Sequence, residues 1–344
     1  MSAPAESSPQ PLGRVTISDV ARAAGVSIPT VSKVVNGRYG VAPATSKRVL
    51  DVVEALGYET SLVASSLRRR RTGVIGILVA EFESFSVELL KGASAASAEA
   101  GYELLAYSGL VSGSNPAGWE RRSLSRLAGT LIDGAIIVTP TVLMPTTSIP
   151  VVAIDPHTGH GGPSTIDSDN LGGARVATQH LIELGHRRIA HVRGRSDLAS
   201  AQLRETGYRE SLAVAGIAFD ASLVVDGGYQ TAQTVEAARS LLTRDDRPTA
   251  VFAANDMSAL GVLQAAREQG LRVPEDLSVI GFDDIPEARS STPPLTTLAQ
   301  PLQDIGAQAL RMLIELLDGH DVPSRVHLPA ELVVRGSTGP VPHP

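Results

Sequence analysis

The sequence contains no cysteine. Disulfides, thiol nucleophiles and cysteine-ligated zinc or iron–sulfur centres are therefore excluded, and a reducing cytoplasm suits the chain. Aromatic residues make up only 3% of it, with a single tryptophan, so a ligand site cannot be richly lined with rings. No stretch approaches the roughly 20 apolar residues that a membrane-spanning helix needs. The first thirteen residues, MSAPAESSPQPLG, lack the basic start and apolar run of a secretory signal and read as a disordered leader. The sequence motifs of catalysis are missing too. There is no G-x-S-x-G elbow, no H-E-x-x-H, no phosphate-cradling G-x-x-x-x-G-K and no dinucleotide fingerprint. Asp167-Ser168-Asp169 could suggest a metal site, but Asp169 stands just ahead of a helix and is better explained as its cap. The chain reads as a non-enzyme without cofactor or metal.

What is present is 344 residues with 43% hydrophobic content, enough for one sizeable core or two modest ones beside a small accessory domain. The formal charge of −6 is unevenly spread: residues 14–72 carry a net +6, which leaves −12 for the rest. A basic head on an acidic body fits an N-terminus that touches phosphate while the body is kept off it; a solvated charge run is the plain alternative.

The segment from Thr16 reads as three short helices. Thr16 and Asp19 have capping-box spacing, and Val20, Ala21 and Ala24 form an apolar face. Gly25 can take the positive φ of a sharp turn, Ser27 caps a second helix from about Ile28 to Val35, and Pro29 sits in its first turn, where a missing N–H costs nothing. Asn36-Gly37 ends that helix. A third runs from about Pro43 to Leu56 behind a chemically poor cap, Ala42, with Val49, Val52, Val53 and Leu56 inward. Helix, short glycine turn, helix is the sequence form of the helix-turn-helix, although a merely structural trihelical unit would look the same.

From Gly73 apolar β-branched runs alternate with amphipathic helices. Val74–Val79, Leu104–Tyr107, Ala135–Val138, Val151–Ile154, Ile189–Val192, Leu223–Val225, Ala250–Ala254 and Val279–Phe282 read as strands of parallel sheets covered on both faces. Their number predicts two doubly wound subdomains, with a ligand cleft at the strands' carboxyl ends. Between head and core lie Ser61 to Leu67, then Arg68 to Arg71. Seven residues are too few to hold a helix alone in water, so this hinge is expected to be disordered when free and helical when docked.

The run VTISDVARAAGVSIPTVSKVVNGRYGVAPATSKRVLDVVEALGY at Val15–Tyr58 resembles the headpiece of the LacI/GalR family of bacterial repressors. The likeness extends through LVASSL, RTGVIGILV, LGHRRIAHV, AANDMSALGVLQA, VPEDLSVIGFDD, PPLTTLAQP and ELVVRGST. It implies a small all-α helix-turn-helix headpiece plus an α/β core of two doubly wound parallel-sheet subdomains, as in periplasmic binding proteins. The expected organisation is a leader at 1–13, headpiece at 14–60, hinge at 61–72, core at 73–338 and tail at 339–344. Within the core, one subdomain takes about 73–166 and 298–325, and the other about 167–297 and 326–338.

Carried onto matching positions, the family pattern puts Ile28, Pro29 and Lys33 on the exposed face of the recognition helix. Thr16, Ser27, Thr30, Ser32 and Asn36 would act on phosphates or as caps. Ile28 and Pro29 cannot make bidentate base contacts, whereas Lys33, where most family members resemble this chain with arginine instead, can donate to a guanine edge. In the hinge, Ala64, Leu67 and Arg68 are implied to touch DNA, with Leu67 as a minor-groove wedge that kinks the duplex and Arg68 on phosphate. Hinges docking in pairs imply a homodimer on a pseudo-palindromic operator, and no apolar heptads follow Arg335 to build a tetramer.

In the core, Arg204, Asn255 and Asp283 match the family's effector-binding polar groups, a guanidinium, an amide and a carboxylate suited to sugar hydroxyls. Asp283 and Asp284 read equally as turn caps, and Asn255 as the cap of the helix that follows. Phe85 is the aromatic candidate for stacking on a pyranose or, alternatively, a core residue. Asp155 and Leu302 also match cleft positions. The implied function is a cytoplasmic, nucleoid-associated repressor of carbohydrate-utilisation genes, released from its operator by a sugar. The alternatives are a corepressor-type regulator that grips DNA when loaded with a purine-like metabolite, and an exported solute-binding sugar receptor.

Overall fold

The computed structural model describes residues 15–35, 39–58, 71–110, 117–143, 147–157 and 162–342. These form two compact units divided between Thr72 and Gly73. The leader, the hinge helix, and the expected DNA contacts Asn36, Ala64, Leu67 and Arg68 lie outside the described residues.

The first unit holds α1 (Ile17–Ala24), α2 (Ile28–Val35) and α3 (Pro43–Leu56). The Asp19 carboxylate accepts from the Thr16 backbone N–H at 3.0 Å and from its hydroxyl at 2.6 Å, which fixes the start of α1. Gly25 sits at φ 62°, and its N–H and that of Val26 turn back onto the last α1 carbonyls, the left-handed stop that glycine adopts without strain. Ser27 Oγ accepts from Thr30 N at 3.4 Å and meets the Thr30 hydroxyl at 2.9 Å. Val20, Ala21, Ala24, Val31 and Val49 make the buried core. Leu56, expected inward, is 38% exposed: it is the last residue of α3, beyond the reach of so small a bundle.

The second unit contains two six-stranded sheets. One lobe, here the N-lobe, orders its strands β11-β5-β4-β3-β1-β2, all parallel. They are β1 (Val74–Val79), β2 (Glu103–Ser108), β3 (Gly134–Val138), β4 (Val151–Ile154), β5 (Ser164–Ser168) and β11 (Arg325–Leu328). The C-lobe orders β12-β10-β9-β8-β6-β7, built from β6 (Ile189–Arg193), β7 (Val224–Asp226), β8 (Ala250–Ala253), β9 (Ser278–Asp283), β10 (Thr296–Ala299) and β12 (Glu331–Val333). Only the edge strand β12 runs antiparallel there. Helices cover both faces of each sheet: α4 (Ser84–Ala100), α5 (Trp119–Leu127) and α11 (Leu302–Leu317) in the N-lobe; α6 (Asn170–Glu183), α7 (Ala199–Val214), α8 (Thr231–Leu242), α9 (Asp256–Glu268) and the short α10 (Pro286–Ser290) in the C-lobe. Every residue of β1, β3, β4, β8 and β9 is buried, which is why their sequences are continuous apolar runs.

The chain passes between lobes after Ser168, after Ala299 and after Leu328. The expected subdomain limits are each corrected by two to three residues: Asp167 and Ser168 finish β5 in the N-lobe, Leu298 and Ala299 finish β10 in the C-lobe, and Val326 to Leu328 pair with β5. Ladder pairing holds each strand in one sheet to its end, so the crossings fall in the loops. Asp169 caps α6 by accepting from Gly172 N at 2.7 Å, as its position suggested. Residues 339–342 are anchored on the core, with Gly339 N donating to Ser278 Oγ at 3.0 Å and Val341 N to Leu184 O at 2.9 Å.

Candidate functional site

On α2, Val31 faces the bundle, while Ile28 (47% exposed), Pro29 and Lys33 are exposed together. Thr30 and Ser32 are half-buried, and Thr16 and Ser27 are exposed at helix starts. The short turn before α2 leaves this face open, because all of its buried contacts come from the opposite side.

In the second unit, a cavity of about 230 Å³ opens at the carboxyl ends of the strands of both lobes. Phe85, Asp155 and Thr139 reach it from the N-lobe, and Arg204, Asn255 and Asp283 from the C-lobe. Parallel strands deliver these residues to one rim because every β-to-helix loop leaves from the same end. The backbone is locally strained there. Four of the five non-glycine residues with positive φ among the described residues line the cavity: Thr139, Asp155, Tyr229 and Asp283. Such conformations persist where surrounding structure over-determines them and concentrate at ligand sites.

Arg204 is the hub. Its Nε donates to Asn170 Oδ1 at 2.8 Å, its Nη1 to the Ala254 carbonyl, and its guanidinium lies 3.8 Å above the centre of the Phe282 ring. The same Nη1 is 3.5 Å from Asp283 Oδ1. Gln300 Nε2 also donates to Asp283, at 2.6 Å. Burial pushes the Asp283 carboxyl up to about 6, with Arg204 and Gln300 opposing. Burial likewise raises Asp155, which accepts from Asn170 Nδ2 at 3.4 Å. Asn255 does cap α9, since its oxygen accepts from Ser258 N at 2.9 Å, and it lines the cavity as well. Asp284 is engaged by Arg289 at 2.9 Å and Arg335 at 2.6 Å, a turn-fixing role.

Leu302 does not line the cavity. At 4% exposed, it begins α11 and packs into the N-lobe core with Leu89 and Ile305. Phe85 does both: it lines the cavity and packs on that core. Sequence reasoning missed Trp119, His157, Ser200 and Tyr229, all on the wall. Trp119 carried a usable signal as the chain's one tryptophan; His157 and Tyr229 stand in loops and Ser200 at the start of α7, and only the fold reveals where they lie. Across the cleft, Ser84 Oγ donates to Glu287 Oε1 at 2.5 Å and joins the two lobes. Among the described residues, no cluster of His, Asp or Glu could hold a metal ion, and no helix is long and apolar enough to cross a membrane.

Residues 16–61 match the family described as bacterial regulatory proteins, lacI family, and residues 178–338 match the periplasmic binding protein-like domain. The HTH-type transcriptional regulator CelR of Thermobifida fusca is 36% identical over 339 residues, covering 94% of this chain and 98% of that protein. The chain belongs to the LacI family. As in that family, it is a DNA-binding transcriptional regulator built from a helix-turn-helix headpiece and a two-lobed effector-binding core. Two solved LacI-family structures are similar over nearly the full length. The CelR–cellobiose complex has a TM-score of 0.68 at 35% identity, covering 94% of this chain and 100% of that one. The Lac repressor dimer bound to operator and the anti-inducer ONPF has a TM-score of 0.80 at 28% identity, covering 95% and 100%.

Proposed function

We propose that this regulator is a cytoplasmic homodimeric repressor of carbohydrate-utilisation genes, which binds a pseudo-palindromic operator and is released by a neutral sugar held in the interlobe cavity. The observation that carries this reading is the convergence of Arg204, Asp283, Asn255 and Asp155 on one cavity whose walls belong to different lobes. A guanidinium donates to ring and hydroxyl oxygens, a carboxylate accepts from paired hydroxyls and an amide does both, the set a polyol needs. The similar CelR structure holds cellobiose, which places a sugar in the same fold. Ile28, Pro29 and Lys33 form the base-reading face of α2, with Ile28 and Pro29 suited to a thymine methyl and Lys33 to a guanine edge. Thr16, Ser27, Thr30 and Ser32 act on phosphates or as helix caps. A ligand that touches both lobes favours one closure angle, and its differential affinity for the two states sets the response, typically about 1–3 kcal/mol. Nothing in this scheme calls for catalysis.

The test is operator binding by the full-length protein with and without cellobiose, glucose and xylobiose, for wild type and Asp283→Asn. Wild type should lose operator affinity by about fivefold or more with one of these sugars. The variant, folded by its thermal transition, should still bind operator and ignore the sugar. A variant that responds like wild type would remove Asp283 from the site, and tighter operator binding with a ligand would reverse the proposed sign.

A further inference from the structure

Two side-chain polar atoms on the N-lobe side of the cavity have no hydrogen-bond partner: Trp119 Nε1 and His157 Nδ1. Elsewhere among the described residues His191 Nε2 and Ser258 Oγ share that condition, while the Tyr229 hydroxyl has Ser200 beside it. Folded proteins pair nearly all such atoms, because an orphaned donor keeps its full desolvation cost. Two such orphans on the N-lobe wall mark groups that a ligand completes.

Trp119 is the sharpest case. An indole N–H can only donate, and the residue is 1% exposed, so water from the surface does not serve it. Its ring is seated on Gly109, directly after β2, where a Cβ would come within 2.3 Å of Trp119 Cε3. Its neighbour Glu120, fully buried, accepts from Thr141 N at 3.0 Å and Val142 N at 2.8 Å, while Gly118 N donates to Thr141 Oγ1 at 2.8 Å. The start of α5 is thus bolted to the loop after β3, and the indole is held in place on the wall. His157 enters from the loop after β4, its backbone N–H bonded to Pro140 O at 3.0 Å. The C-lobe repeats the device: the Tyr229 ring lies against Gly194, where a Cβ would sit 2.2 Å from Tyr229 Cζ.

We infer that Trp119 and His157 form a specificity subsite on the N-lobe wall that takes one hydroxyl of a neutral polyhydroxylated ligand, with the indole N–H donating to its oxygen and the imidazole Nδ1 accepting its hydrogen. This rests on the cavity being the effector site. Burial pushes the His157 imidazole down to about 4, so the ring is neutral near pH 7 and one of its nitrogens accepts. A hydroxyl satisfies both groups at once. With the imidazole proton on Nε2, a carboxylate satisfies the indole alone and leaves the imidazole acceptor without a hydrogen, so the pair favours a hydroxyl over an anion.

Trp119 is the chain's only tryptophan, so full-length wild-type protein carries its own reporter. Cellobiose, xylobiose, glucose and hypoxanthine are titrated against it by tryptophan fluorescence and by calorimetry, then against Trp119→Phe and His157→Ala by calorimetry. The expected result is saturable change in emission with the calorimetric midpoint for a sugar, and about tenfold weaker binding of that sugar by each variant. A sugar that binds wild type without altering emission, and binds both variants as tightly, overturns the subsite while leaving the effector reading intact. Failure of every sugar to bind wild type overturns the effector reading itself, and hypoxanthine binding with the tryptophan signal overturns the assignment to a polyhydroxylated ligand. Should Trp119→Phe not fold, the wild-type emission and His157→Ala still decide.

Discussion

Gln300 donates through Nε2 to Asp283 Oδ1 at 2.6 Å and accepts through Oε1 from Ser168 Oγ. Ser168 ends β5 at the first passage between lobes, and Gln300 stands in the second. Asn170, just past the first passage, links Asp155 to Arg204. Asp155 and Asp283 on the cavity wall are therefore hydrogen-bonded to the very segments about which the lobes would turn.

From this wiring, Gln300→Ala should blunt the switch. The ratio of operator affinities without and with effector is expected to fall severalfold towards one, by fluorescence anisotropy on a labelled operator. A ratio equal to wild type would show that the response does not run through Gln300.

Lys33, exposed on α2 beside Ile28 and Pro29, is expected to read a base. Lys33→Ala should weaken operator binding by about 1–3 kcal/mol and non-specific DNA binding by much less. Equal losses on operator and random duplex would assign the side chain to phosphate instead.

The buried His191 ring stacks with Tyr208 and Phe252 and bonds the Phe252 carbonyl at 2.9 Å. Burial pushes its pKa down to about 4. Folding keeps this ring neutral while the unfolded chain takes up a proton, so its contribution is lost as pH falls through about 6.5 and levels off below about 4, on the order of 3 kcal/mol in all. His157 follows the same direction, while Asp283, raised to about 6, opposes it between about 6 and 4. His191→Leu should accordingly flatten the decline in denaturation midpoint between pH 7 and 5. An identical pH slope in the variant would show that His191 does not titrate on unfolding.

Helices α4 and α11 meet backbone to backbone. A Cβ on Gly306 would fall 2.0 Å from Leu89 O, and one on Gly92 1.8 Å from Gln303 O. Gly306→Ala should destabilise the second unit by about 1–3 kcal/mol or more through forced separation of the helices, read as a lower midpoint in chemical denaturation. An unchanged midpoint would mean that the helices part without cost.

The strands β1, β4 and β9 were legible within a residue, because a strand buried on both faces must be a continuous apolar run whatever its neighbours. Strand β5, Ser-Thr-Ile-Asp-Ser, was not, because its polar side chains are satisfied by distant partners. Asp167 takes Arg325 at 2.8 Å and His327 at 2.8 Å, which no local pattern can announce. The headpiece was readable almost to the residue, since caps, turns and a valine face act within a few positions of each other.

By itself the sequence determined the helix-turn-helix and the doubly wound class of the core, which depend on local periodicity, and the family resemblance singled out Arg204, Asn255 and Asp283, which all line the cavity. The tertiary structure alone decided that Leu302 belongs to the core, and that Trp119 and His157 share a wall with Phe85 and Asp155 while Tyr229 faces the same cavity from the C-lobe. Their convergence comes from strand ends that are adjacent in space and far apart in sequence, and the bare backbones of Gly109 and Gly194 become ring seats only once the sheets have brought their partners to them.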